Sequence, residues 1–178
     1  FALAGLSLGG IVAFEMFRQA PQRIKRIALL DTNPRVELPQ NVSVRHQQIN
    51  NIAQGGVESL KTLVSQQLMP KYVFDSEQLL RREPLVMEMA LDIGTGEFIN
   101  QWRALASRAD SWSILKDIRC PTLILCGVHD VLCNEKLHRD MALEIQHARL
   151  EIISEAGHLS TLDAPEQVNR ALETWLNS

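Results

Sequence analysis

The sequence has no long apolar run and little net charge, and both absences exclude whole classes of protein. Its longest apolar stretches fall well short of the roughly 20 residues that a membrane helix requires, and no basic segment precedes an apolar one as in a signal peptide. The net charge is −3, with acidic and basic residues mixed along the chain, so there is no basic footprint for phosphate contacts. We therefore expect neither a membrane nor a nucleic acid as a partner.

Cysteine is also scarce, which limits the redox and metal chemistry to be expected. Cys120, Cys126 and Cys133 are odd in number, lie close together and lack the CxxC spacing of a zinc site. They do not indicate a disulfide framework, and a reducing cytoplasm fits them best. The histidines and acidic residues lack ligand spacing such as HExxH, so we expect no metal and no cofactor.

What is present is the composition of an ordinary globular protein of one-domain size. The chain has 178 residues, of which 46% are hydrophobic and 22% charged, enough apolar material to bury a core.

The first twenty residues predict a strand, a tight turn and a buried helix. FALA is a short apolar run, GLSLGG is the turn, and IVAFEMFRQA is apolar on almost every face until Pro21 ends it. The turn matches GxSxG, with Ser7 between Gly5 and Gly9. At such an elbow the serine backbone is strained and exposes Oγ, the glycines leave room where a Cβ would strike a neighbour, and the N–H of Leu8 is a candidate oxyanion donor.

The later apolar runs predict a parallel sheet. Residues 27–30 and 122–126 are near-continuously apolar, as strands buried on both faces are, whereas 150–152 alternate as nearer an edge. In the last helix, Asp163 is the expected N-cap, with Glu166 three residues on. Strand and helix alternate outside the middle of the chain, which favours a doubly wound α/β fold with its chemistry at the carboxyl ends of the strands.

Three strand ends carry a serine, an acid and a histidine, in the chain order Ser7, Asp130, His158. With the pieces GLSLGG, PTLILCGVHD and EAGHLSTLDAPEQVNRALETWL, the chain resembles an α/β-hydrolase. The resemblance implies that Ser7 attacks an acyl carbonyl, that His158 relays the proton, and that Asp130 orients the imidazole. It implies a parallel sheet flanked by helices, with a helical cap insertion.

Each of these assignments has an alternative on the sequence alone. Asp130 also fits a turn or cap residue before a helix near Asn134, and Asp31, which ends an earlier strand, is the second candidate for the acid. His158 also fits a residue that caps the following turn. His129 is expected to point away from Asp130 in an extended segment, and His46, His138 and His147 lie on polar helical stretches where solvated side chains are the default.

The stretch from about 34 to 110 contains helical patterns separated by GG, Pro70 and GTG, with no strand. The predicted organisation is therefore a hydrolase core over 1–33 and 111–178, with a helical cap or lid over 34–110. Apolar cap residues are interpreted as core rather than as pocket lining; they are Met69, Met87, Met89, Phe98 and Trp102.

The resemblance also predicts what this chain omits. Family members have several strands before the serine elbow and a second oxyanion donor among them, so this chain resembles the carboxyl-terminal part of the fold. We expect such a fragment alone to be poorly active. The predicted activity of the whole is hydrolysis of an ester or related acyl bond of a small molecule through an acyl-enzyme. The alternative is a non-catalytic small-molecule receptor or pseudoenzyme on the same fold.

Overall fold

The computed structural model describes all 178 residues, which form two compact units: 1–35 together with 110–178, and 36–109. The first unit contains the strands β1 Ala2–Leu6, β2 Arg26–Leu30, β3 Thr122–Gly127 and β4 Ala148–Ile153. The α-helices of the chain are α1 Leu8–Gln19, α2 Pro39–Leu63, α3 Met69–Tyr72, α4 Ser76–Ser107, α5 Glu135–Glu144, α6 Ser160–Asp163 and α7 Pro165–Leu176. Short 3-10 helices at Pro21–Arg23 and Trp112–Asp117 and a π-helix at Val64–Leu68 complete the helical structure.

The four strands form one parallel sheet in the order β1-β2-β3-β4. β3 is buried along its whole length and β2 along all but its first residue, whereas β1 and β4 at the edges are partly exposed. The continuously apolar runs therefore form the central strands, because both faces of those strands are covered. The predicted parallel sheet flanked by helices is confirmed.

Helices cover the two faces of this sheet separately. On one face α1 and α5 pack against inward side chains of β2 and β3, and the other face is covered by α7. Within α7 the side chains of Val168, Ala171 and Trp175 are buried, whereas Leu176 is 49% exposed. This three-layer arrangement holds the carboxyl ends of all four strands at one edge of the sheet.

The second unit is entirely helical and has its own core. The GG and GTG sequences separate helical segments, as predicted: Gly56 (φ 59°, ψ −140°) and Gly94 (φ 78°, ψ 162°) have non-helical backbone conformations, and α2 and α4 each kink there. Among the apolar residues considered for the cap, Met69, Phe98 and Trp102 lie in this core and Met87 packs against it; Met89 is 53% exposed. No helix of the chain is long and apolar enough to cross a membrane.

The start of the last helix differs from the prediction. Asp163 ends the short helix α6 rather than capping α7, whose N-cap position is Ala164. The Asp163 carboxylate accepts a hydrogen bond from the N–H of Gly157 (2.9 Å) instead. Pro165, at the first position of α7, needs no partner for a backbone N–H there, so the helix begins without a side-chain cap.

Candidate active site

Ser7 occupies the turn between β1 and α1 in a strained backbone conformation. Its φ of 52° and ψ of −113° lie in a region that costs a non-glycine residue about 1–3 kcal/mol. Hydrogen bonds hold both backbone groups of Ser7. Its N–H donates to the Leu30 carbonyl (2.9 Å), and its carbonyl accepts from the Thr32 hydroxyl (2.7 Å). The neighbouring strand thus holds the elbow in place.

Two glycines allow the close packing at this elbow. A Cβ on Gly5 would lie 2.3 Å from the Gly9 carbonyl oxygen, and one on Gly10 would lie 2.4 Å from the Thr32 hydroxyl. A Cβ on Gly9 would meet no atom within 4 Å. The steric reason predicted for the flanking glycines therefore holds at Gly5 and is wrong at Gly9, and Gly10, outside the five-residue motif, carries the second constraint.

Ser7, His158 and Asp130 form a continuous chain of hydrogen bonds. His158 Nδ1 lies 2.9 Å from Asp130 Oδ2, and His158 Nε2 lies 2.8 Å from Ser7 Oγ. Because a carboxylate oxygen accepts, the Nδ1 proton belongs to this bond, and Nε2 is then the acceptor for the Ser7 hydroxyl proton. Asp130 and His158 are each 3% exposed, so water competes little for these bonds.

Asp130 is at once a turn residue and the partner of the histidine. Its Oδ1 accepts from the backbone N–H groups of Leu132 (2.8 Å) and Cys133 (2.9 Å), while Oδ2 faces His158. The two alternatives from the sequence are thus compatible, because the carboxylate has an oxygen for each. The helix that follows has its own N-cap, Asn134, whose side chain accepts from Leu137 N–H.

Asp31, the other candidate for the acid, occupies a different place. It is fully buried, and its φ is 45°. One oxygen accepts from the N–H of Gly127 (2.9 Å) and the other from the hydroxyl of Ser160. Burial raises the pKa of this carboxyl group to about 7, although both hydrogen bonds and the nearby His158 oppose the rise.

His138 was predicted to be solvated, and this is wrong. The side chain is fully buried; Nε2 accepts from the N–H of Thr32 (3.2 Å), so Nδ1 carries the proton and donates to the Asn134 carbonyl (3.1 Å). Burial lowers the pKa of His138, and its hydrogen bond to Asn134 opposes that effect. A histidine on a polar helix gives no sequence signal for this, because its partner N–H comes from Thr32, in the segment that follows β2.

The side chains that could together ligate a metal are those of Asp130, Cys133 and His158, whose ligand atoms all lie within 4.8 Å of one another. Two of the three already share the hydrogen bond between the acid and the histidine. Another thiol nearby, Cys126, has its pKa raised to about 12, chiefly by burial, so it is not a thiolate at neutral pH.

Leu8 is the first residue of α1. At this position no preceding helical turn supplies a carbonyl for its N–H. The group therefore has the character of an anion-binding donor at a helix start, next to the Ser7 hydroxyl in the sequence.

A parallel sheet flanked by helices, with a strained serine at a strand-to-helix turn and with a histidine and an acid beyond two further strand ends, defines a recognisable class of protein. The sequence profile of the alpha/beta hydrolase fold matches residues 1–165, and the chain belongs to this family. The predicted family is thereby confirmed.

Three similar proteins show how far the likeness extends. The chain is 27% identical to an (E)-2-((N-methylformamido)methylene)succinate hydrolase of Acinetobacter baylyi, with 99% of this chain and 65% of that protein covered. It is 25% identical to a carboxylesterase of Bacillus subtilis, with 98% and 56% covered. Among solved structures, a thermophilic esterase from Thermogutta terrifontis superposes with a TM-score of 0.86 and 28% identity, over 99% of this chain and 64% of that one. The chain therefore spans somewhat less than two thirds of each.

Proposed function

We propose that the protein is a serine hydrolase that cleaves an ester or related acyl bond of a small molecule. The observation that carries this proposal is the unbroken hydrogen-bond chain from Ser7 Oγ through His158 to Asp130. A binding protein has no need of a proton path to a strained, half-buried serine, whereas acyl transfer uses both the proton path and the serine.

In this mechanism Ser7 Oγ attacks the acyl carbonyl carbon while its proton passes to His158 Nε2. The carbonyl oxygen gains negative charge, and the N–H of Leu8 stabilises it. Collapse of this intermediate breaks the bond to the leaving group, which takes the proton from Nε2, and leaves an ester on Ser7. Water then attacks that ester, giving its proton to Nε2, and the second collapse returns the proton to Ser7 Oγ. Asp130 keeps the Nδ1 proton directed toward itself and stabilises the imidazolium form in both steps.

The relatives support a small acyl compound as the substrate, but they do not identify a particular compound. They are a succinate-derivative hydrolase, a carboxylesterase and an esterase. Carboxylic esters are the broadest class that includes this chemistry. The role of residues 34–110 as a lid that shapes the acyl pocket is part of the proposal.

The decisive experiment exposes the protein at its natural length to a fluorophosphonate probe and to a chromogenic short-chain ester. We expect covalent labelling at Ser7 and ester turnover, both lost in Ser7→Ala, since phosphonylation requires an activated serine. Ser154→Ala removes an exposed serine and serves as the matched control with unchanged labelling. A well-folded protein that is neither labelled nor active would favour the receptor alternative.

The low activity expected of residues 1–178 alone stays a prediction. One missing oxyanion donor is worth about 10²- to 10³-fold in turnover. Labelling rates of this chain and of the protein at its natural length, measured side by side, test it; equal rates would contradict it.

A further inference from the structure

A buried carboxyl group that the proposed mechanism does not use lies among the elements that carry the candidate catalytic side chains. Asp31 follows β2 directly, and its two oxygens are bonded to two different segments. Oδ1 accepts from Gly127, which begins the acid turn, the segment 127–133 that contains Asp130. Oδ2 accepts from Ser160, which follows the histidine loop, the segment 154–159 that contains His158.

We propose that Asp31 is a positioning residue whose carboxyl group ties the acid turn to the histidine loop and so holds Asp130 and His158 in register. The proposal rests on the proposed hydrolase function. It assigns Asp31 no contact with substrate, and its effect passes through Gly127 and Ser160.

The backbone around Asp31 is fixed well enough for the carboxyl group to act as a clamp. Its N–H donates to the Leu125 carbonyl (2.9 Å), and its positive φ turns the side chain away from the direction of an ordinary extended residue. The next residue, Thr32, holds the Ser7 carbonyl. The end of β2 thus contacts the elbow, the acid turn and the end of the histidine loop within two residues.

The geometry explains why an acid or its amide is required at this position. The Gly127 N–H and the Ser160 hydroxyl are both donors, and Ser160 is fully buried, so truncation of Asp31 leaves donors without water to replace the lost acceptor. The two loops would then relax independently. A displacement of about 1 Å between reacting groups is enough to cost about 10²-fold in rate.

The variants Asp31→Ala and Asp31→Asn distinguish the effect of losing the two hydrogen bonds of Asp31 from the effect of a general loss of packing. Asparagine keeps the shape: its carbonyl oxygen accepts from Gly127, and its amide donates to Ser160, whose hydroxyl accepts as well as donates. We expect Asp31→Ala to lower kcat about 10- to 100-fold with KM changed less than about twofold, and Asp31→Asn to keep kcat within about threefold. Thermal unfolding establishes that each variant is folded.

A second measurement does not depend on turnover. The Nδ1 proton that His158 shares with Asp130 gives a far-downfield proton NMR signal in a well-formed pair. We expect the signal in the wild type and in Asp31→Asn, and its loss or broadening in Asp31→Ala. Ser7→Ala proteins carrying the same changes at Asp31 give this comparison without any activity, so a failure of the hydrolase proposal leaves the test of Asp31 intact.

Ser160→Ala tests one arm of the clamp if Asp31→Ala does not fold. We expect about a tenfold fall in kcat and a weakened His158 signal, whereas Ser154→Ala, in the histidine loop but exposed, changes neither. A folded Asp31→Ala protein with kcat within about twofold of the wild type and an unchanged signal would overturn the proposal. So would an Asp31→Asn protein as impaired as Asp31→Ala.

Discussion

At the scale of the residue, the charge of Asp31 makes stability depend on pH. Its pKa is raised from the ordinary 3.8 to about 7, with burial the largest cause. The folded protein therefore holds a proton between pH 4 and 7 that the unfolded chain has released. The contribution of Asp31 to the free energy of unfolding is therefore fully present below pH 4 and is lost as the pH rises toward 7. The charged or titratable groups that interact with this carboxyl group are His158, Asp130 and Cys126.

We predict that Asp31→Asn removes this component. The free energy of unfolding of the variant, relative to the wild type, should rise with pH between 4 and 7, at up to about 1.4 kcal/mol per pH unit. Urea unfolding of both proteins across this range measures the difference. Because every other titrating group is common to the two proteins, parallel curves would show that Asp31 titrates as an ordinary exposed carboxyl group.

The positions of some site residues could be predicted from the sequence and those of others could not, for a physical reason. Ser7, Asp130 and His158 follow predicted strands, and parallel strands bring their carboxyl ends to one edge; the structure places the three within hydrogen-bond distance. The bonds of Asp31 and the burial of His138 depend on contacts between segments about 100 residues apart, and no local pattern encodes them. Around the elbow, the steric constraint at Gly5 was predicted from the sequence, whereas the contacts of Gly10 and Thr32 were not.

At the scale of the element, the helices of the 36–109 unit depend on two glycines with positive φ. Gly94 has φ 78° and ψ 162° within α4, a conformation that an L side chain adopts only with strain, although nothing lies within 4 Å of a Cβ there. Two residues on, Gly96 is exposed, lies in the same helix, and also has open space for a Cβ. The two positions differ mainly in backbone conformation.

We predict opposite effects of alanine at these two glycines. Gly94→Ala should destabilise the protein by about 1–3 kcal/mol because the kink becomes strained, whereas Gly96→Ala should stabilise it by about 0.5–1 kcal/mol because a helical glycine costs backbone entropy. Thermal or urea unfolding, followed by circular dichroism at a helix wavelength, measures both. Destabilisation of equal size at the two positions would contradict the assignment of the kink to Gly94.

The elements of the sheet were predictable to within a residue or two, whereas the helical unit was predicted only as helical patterns with breaks at its glycines. A strand buried on both faces must be continuously apolar, so residues 27–30 and 122–126 matched β2 and β3 closely. The GG and GTG sequences were interpreted as helix ends, and the helical conformation does break at Gly56 and Gly94, although helix resumes directly beyond each kink. Packing of α2 against α4 in a shared core supplies stability that local propensity lacks.

At the scale of the whole molecule, the chain consists of two units, each with its own core. The helical unit is closed near its two chain ends by a buried ionic cluster. Glu37 accepts from Arg45 (2.7 Å) and from Arg108 (3.0 Å), and it also accepts from the Asn41 side chain (3.1 Å). The pKa of Glu37 is lowered, since these hydrogen bonds and charges outweigh the burial that would raise it.

Because Glu37 and Arg108 lie 71 residues apart and both side chains are less than 10% exposed, this cluster ties the entry of the helical unit to its exit. Glu37→Gln removes the counter-charge of the buried Arg108 and of the partly exposed Arg45, which costs about 3–5 kcal/mol for a buried pair. Glu77→Gln is the matched control, since the pair of Glu77 and Arg81 is exposed and is worth less than about 1 kcal/mol.

Hydrogen exchange of the folded variants should show faster exchange in α2 and α4 of Glu37→Gln. The amides of β2 and β3 should keep their protection, because each unit has a separate core. Equal loss of protection in the central strands would mean that the two units unfold as one.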